Sequence, residues 1–141
     1  MRLKPYLIAT LCVFALSFAA CKKSKKGGST NNPSEEDLKV ELVGVVASPT
    51  ANVSQGPTFP FSVKVTSKMP ASGVKIGVEA VVIFSNVSVP QNAAIVSSAA
   101  TTEVTVNNLP SMNEVRVKVT VTSETKPTNK KEFEFIVFNK V

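Results

Sequence analysis

Val115-Arg116-Val117-Lys118-Val119-Thr120-Val121-Thr122 places a valine at every second position and a polar or charged residue at each position between. That is the period of an extended strand, whose successive side chains point to opposite faces. The valines share one face that must be buried, while Arg116, Lys118, Thr120 and Thr122 share one that tolerates water. An antiparallel sheet accepts such a strand, because one side packs and the other stays wet.

The same period recurs on either side of this segment. Phe59, Phe61, Val63 and Val65 alternate with Pro60, Ser62, Lys64 and Thr66, and Val74, Ile76, Val78 and Ala80 make a third stripe. Phe133, Phe135 and Val137 stand against Glu132, Glu134 and Ile136. Residues 38–46 begin by alternating and end continuously apolar, and residues 102–106 alternate through Val104 and Val106. Between Val82 and Val96, the residues Asn86, Pro90, Gln91 and Asn92 interrupt a β-branched run, which predicts one or two short edge strands. Turn-forming clusters fall where strands should stop: Ser48-Pro49, Gln55-Gly56-Pro57, Met69-Pro70-Ala71-Ser72-Gly73, Asn107-Asn108-Leu109-Pro110 and Lys126-Pro127-Thr128-Asn129. The expectation is an all-β chain with a single immunoglobulin-like antiparallel β-sandwich of about seven strands, spanning residues 38–141.

The segment ahead of that domain is of a different kind. Arg2 and Lys4 precede an uncharged, mostly apolar run from Tyr6 to Ala20, and Lys22-Lys23-Ser24-Lys25-Lys26 follows Cys21. A basic start, a short apolar stretch and small residues at its end are the parts of a secretory signal peptide, here residues 1–20. Only the 16 residues from Pro5 to Ala20 lie between Lys4 and Cys21, fewer than the roughly 20 a membrane-crossing helix needs. Residues 22–37 contain no apolar residue and end in Glu35-Glu36-Asp37. Such a composition does not repay the entropy of ordering, so residues 21–37 read as a disordered linker. As a coil it would reach about 20–25 Å.

Two resemblances follow from quoted residues. Phe18-Ala19-Ala20-Cys21 resembles a bacterial lipobox, with Phe18 where an aliphatic residue is usual. The resemblance implies cleavage after residue 20, lipid on Cys21 and membrane attachment through it, in the outer membrane of a Gram-negative envelope. Surface-exposed lipoproteins of the Bacteroidota carry acidic residues directly after the cysteine. Lysines stand there in this chain, so periplasmic and surface placement both stay open. An ordinary cleaved signal peptide would leave Cys21 as a free thiol. In the domain, Ser48-Pro49, Val53, Gly56 and residues 59–66 resemble the opening of bacterial cell-adhesion-related Ig-like domains. Leu109-Pro110 with residues 114–119 resembles the corner before the penultimate strand of fibronectin type III domains, with Val115 where a Tyr is usual. The implied function is a binding or adhesion module with a protein or polymer partner. The alternative is an accessory subunit of an envelope or secretion complex. Sandwiches host unrelated activities, so the resemblance assigns no chemistry.

The inventory of reactive groups is short. There is no His, which removes Ser–His and Cys–His pairs and imidazole metal ligands. Cys12 leaves with the signal peptide, so Cys21 is the one mature thiol and no internal disulfide forms. Asp37 is the sole Asp, and calcium sites want clustered Asp and Asn oxygens. Glu132 and Glu134 share a face at the spacing of a carboxylate pair, but they read more simply as the wet side of a strand. The expectation is a non-enzymatic chain with no cofactor and no metal. The domain carries 10 basic and 7 acidic residues and no Tyr or Trp, a poor match to a nucleic-acid surface. Lys64 and Lys68 with Arg116 and Lys118 could gather on one outer face, though a mixed-charge surface is the simpler reading. Ile136 and Phe138 fall on the face opposite Phe133 and Phe135. Either that face is covered or the pair forms a partner contact.

Replacing Cys21 by Ala is expected to abolish fatty-acid labelling and to move the protein from the detergent phase to the aqueous phase. Unchanged partitioning would refute lipidation.

Overall fold

The structure, a computed structural model, describes residues 34–141. The expected signal peptide, Cys21 and the first part of the expected linker lie outside the described residues. Within them there are nine strands and no helix: β1 (Val40–Val43), β2 (Ala51–Ser54), β3 (Phe59–Val65), β4 (Val74–Val82), β5 (Ser88–Val89), β6 (Ile95–Ser97), β7 (Thr101–Val106), β8 (Glu114–Ser123) and β9 (Lys130–Asn139). They form two sheets in the orders β1-β3-β7 and β2-β9-β8-β4-β5, with β6 also paired to β4. The all-β expectation holds, and the two sheets pack as a sandwich.

The valine strand sits in the middle of the larger sheet. Val115, Val117, Val119 and Val121 of β8 are fully buried. Val117 lies between Ala80 of β4 and Phe135 of β9, and Val119 lies between Val78 and Phe133. Facing them from the smaller sheet are Phe61, Val63 and Val65 of β3 with Val104 and Val106 of β7, all buried. Phe61 meets Phe135 edge-on with ring centroids 5.5 Å apart, and Phe59 meets it tilted at 6.2 Å. Each such buried side chain contributes roughly 1.5–3 kcal/mol of transfer free energy, and with no internal disulfide in the domain the core carries its stability.

The count of nine exceeds the expected seven for identifiable reasons. β5 and β6 are the two short edge strands between residues 82 and 97. β2 gives no period-two apolar signal, because its inward residues are Asn52 and Ser54. It also runs parallel to β9, so the larger sheet is mixed rather than purely antiparallel. The apolar run at 38–46 stops being a strand at Val43, since Gly44 has φ 83° and turns the chain toward the other sheet. The crossover is fastened by the buried Asn52 amide. Its Oδ1 accepts the Val46 N–H at 2.7 Å, and its Nδ2 donates to the carbonyls of Val46 at 3.0 Å and Ile136 at 2.9 Å.

Each end of the sandwich is closed by one leucine and one asparagine. At the end where the chain enters, Leu38 is fully buried and its N–H donates to Asn129 Oδ1 at 2.8 Å. Asn129 Nδ2 donates to Glu35 Oε1 at 2.6 Å and to the Glu36 carbonyl at 2.9 Å, while the Ser123 hydroxyl donates to Glu35 Oε2 at 3.0 Å. Glu36 accepts the Lys68 N–H at 3.1 Å and the Lys39 ammonium at 3.2 Å. The Lys68 hydrogen bond, and then Lys39, hold the Glu36 carboxyl below its usual value. Composition places Glu35 and Glu36 in the linker, but here they are held against the β8–β9 turn by a buried amide. At the far end Leu109 is buried and its carbonyl accepts Asn139 Nδ2 at 2.9 Å.

Asn129→Ala leaves the buried Leu38 N–H without its partner and removes one of the two hydrogen bonds to Glu35 and the bond to the Glu36 carbonyl. The expected loss is about 1–3 kcal/mol in denaturant unfolding, with faster tryptic cleavage after Lys39.

Candidate functional site

The end remote from Leu38 collects four connections. These are the β4–β5 turn at 83–87, the β7–β8 loop at 107–113, the β2–β3 loop at 55–58 and the residues after β9. The β4–β5 turn is a tight reversal in which Val82 N–H donates to the Val87 carbonyl at 2.9 Å and Asn86 N–H donates to the Val82 carbonyl at 2.8 Å. Asn86 supplies the left-handed φ of 56° that the reversal needs. This geometry lifts Phe84 off the body of the domain, leaving it 98% exposed.

Met112 lies on the neighbouring loop and is 66% exposed. It also has φ 54°, a conformation that costs an ordinary residue about 1–2 kcal/mol. Hydrogen bonds fasten these segments to each other: Ile83 N–H to the Glu114 carbonyl at 2.9 Å, and Met112 N–H to the Asn139 carbonyl at 2.9 Å. Val87 and Val141 are exposed at the same end. Phe84, Met112, Val87 and Val141 thus leave four large apolar side chains exposed at this end.

The outer face of the larger sheet continues from this end. Ile136 and Phe138, the two expected contact residues, lie on it and are half-buried. On one side they adjoin Ala51 and Val53 of β2, and on the other Arg116 and Glu114 of β8. Val81 faces outward beside Arg116, so the distal half of the face is largely apolar. Toward the entry end the face is charged. Arg116 Nε lies 3.4 Å from Glu134, Lys118 3.2 Å from Glu132, and Lys130 2.9 Å from Glu132. Lys130, and then Lys118, hold the Glu132 carboxyl below its usual value. These exposed pairs contribute little to stability, but they engage both carboxylates with cations.

The suggested basic cluster does not form. Lys64 is on β3 in the smaller sheet and pairs with Glu41 at 3.7 Å, whereas Arg116 and Lys118 face outward from the opposite sheet. A cleft of about 160 Å³ between β4 and β7 is lined by Ile76, Val104, Gln91 and Glu103. The Gln91 amide there is committed to the Asn107 backbone, at 2.7 and 2.8 Å. Among the described residues no three His, Cys, Asp or Glu side chains come together where a metal ion could be held.

No protein-family model matches the chain, and neither a curated protein nor a solved structure matches it significantly.

Sequence reasoning singled out Ile136 and Phe138, which the structure places half-buried on the outer face, but passed over Phe84 and Met112. The available signal was a large apolar residue inside each turn cluster, Phe84-Ser85-Asn86 and Ser111-Met112-Asn113. Phe84→Ser is expected to leave the unfolding free energy within about 0.5 kcal/mol of the parent while shortening retention on a hydrophobic-interaction column. A larger loss of stability would place Phe84 in the fold rather than in a contact surface.

Proposed function

We propose that this chain is a lipid-anchored envelope protein whose Ig-like domain is a non-enzymatic binding or adhesion module, and that its partner meets the end bearing Phe84. The observation that carries the reading is the polarity of the domain. Residues 34–38 enter at one end through polar contacts, and the two most exposed large apolar side chains, Phe84 and Met112, stand at the other. A domain held by lipid on Cys21 through the composition-defined linker would present its apolar end away from its own attachment point.

Strand order supports the Ig-like assignment. β1, β3 and β7 in one sheet and β4, β8 and β9 in the other match the division of first, second and fifth strands against third, sixth and seventh in an Ig-type sandwich. Support for contact rather than catalysis comes from the exposed apolar side chains at the distal end, Phe84 and Met112. The half-buried outer face favours the second reading, an accessory subunit with a broad interface in an envelope complex.

The test is affinity capture from detergent-solubilised membranes after in-cell cross-linking, comparing the parent with a Phe84→Ser/Met112→Ser double variant. The expected result is a partner recovered with the parent and depleted at least about tenfold with the variant, as for loss of central contact residues. Equal recovery would overturn the assignment of the partner to this end.

A further inference from the structure

We propose that the outer face of the larger sheet is a self-association surface, and that its occupant is a second copy of this chain related by a twofold axis parallel to the strands and lying between β8 and β9. The argument starts from the register. Lys118 lies directly opposite Glu134, Arg116 opposite Ile136, and Thr120 opposite Glu132. The outward charges of β8 in this stretch are thus basic and those of β9 acidic. A twofold axis between the two strands lays β9 of one copy over β8 of the other at equal height. Glu134 then faces Lys118 of the second copy, and the symmetry repeats the pair in reverse. One row further along, Ile136 covers the aliphatic stem of Arg116 of the second copy, as long charged side chains permit. At the flanks Ala51 of β2 meets Val81 of the second copy's β4. Glu132 keeps the two lysines of its own copy, Lys118 and Lys130, while Glu114 faces Phe138.

Dimensions and orientation agree with this pairing. Two outward positions on β2, five each on β9 and β8 and four on β4, at about 4.8 Å by 6.7 Å each, give roughly 500 Å² per copy, or about 1,000 Å² in all. That area just reaches the roughly 1,000 Å² a specific interface needs. Two twisted sheets pack face to face with their strands within about 30° of each other, which an axis along the strands allows. The same axis keeps both Leu38 ends on one side, as two copies in one membrane leaflet require. That point of orientation rests on the lipid-anchored reading, whereas the contact itself does not.

The experiment uses the full chain purified in detergent, with mass measured by sedimentation. The parent is expected to dimerise. Lys118→Glu alone and Glu134→Lys alone each place two like-charged pairs across the axis, and each should weaken the dimer at least about tenfold. Mixing the two variants sets the introduced glutamate of one copy against the introduced lysine of the other. The second contact then keeps the native Glu134 and Lys118 face to face, so the mixture should restore the dimer. Mixing cannot rebuild an ion pair within one copy, so recovery reports contact between copies. Independently of any variant, carbodiimide coupling in a mixture of ¹⁴N- and ¹⁵N-labelled parent protein should yield Lys118–Glu134 cross-links of mixed isotope. A monomeric parent, reversals that leave the dimer as tight as before, a mixture that stays monomeric, or cross-links of single isotope only would each overturn the proposal. None of these results depends on partitioning of the Cys21→Ala variant or on capture through Phe84.

Discussion

Burial of one face of β8 is the constraint on which the rest of the sandwich depends. Its four inward valines leave no other face available, because Arg116 and Lys118 occupy the alternate positions. A slip of one residue against β4 or β9 would exchange the two sets and carry two cations into the core. An unpaired ion in such surroundings costs several kcal/mol at least. The register of the central strand is therefore steeply determined, and β4 and β9 inherit it along nine paired positions each. The opposing sheet then has to supply volume rather than pattern, which Phe59 and Phe61 do by packing across the interior against Phe135.

A sandwich built from valine ladders still has open ends and edges, and polar side chains close them. Asn129 holds the entry end, Asn139 the far end and Asn52 the crossover between sheets. Each of these three amides is buried and hydrogen-bonded to backbone. A carboxamide suits the task because it carries both an acceptor and donors, and so imitates a missing strand neighbour on two sides. Among the described residues no buried side-chain polar atom lacks a partner. At the β7 edge Gln91 does the same for the Asn107 backbone, covering groups that would otherwise invite a foreign strand.

These amides also explain what could and could not be read from the chain. β3, β4, β7, β8 and β9 were legible because each is half-buried and alternates. β2 was not, because its inward residues are Asn52 and Ser54, and a polar pair pointing inward is indistinguishable from a loop until its partners are seen. The docking of Glu35 and Glu36 was hidden for the same reason, since their partners Asn129 and Ser123 lie about ninety residues away. Ile136 and Phe138 were legible as a break in the alternation of β9. Phe84 and Met112 were not, since a turn residue has no periodic signal and its exposure depends on how the reversal is built.

The distal end departs from this pattern. Elsewhere the exposed large apolar residues are valines and one isoleucine, each between 39% and 60% exposed. There Phe84 is fully exposed on a reversal that Asn86 makes possible, and Met112 occupies a backbone conformation usually left to glycine or asparagine. Neither feature contributes to folding, and the second opposes it by about 1–2 kcal/mol. Where local rules are broken at one place in a chain that otherwise obeys them, the violation points to use rather than to architecture. The entry end, with its matched hydrogen bonds, shows the same loops made without such strain. The contrast between the two ends, more than any single residue, is what favours the Phe84 end in the proposed contact.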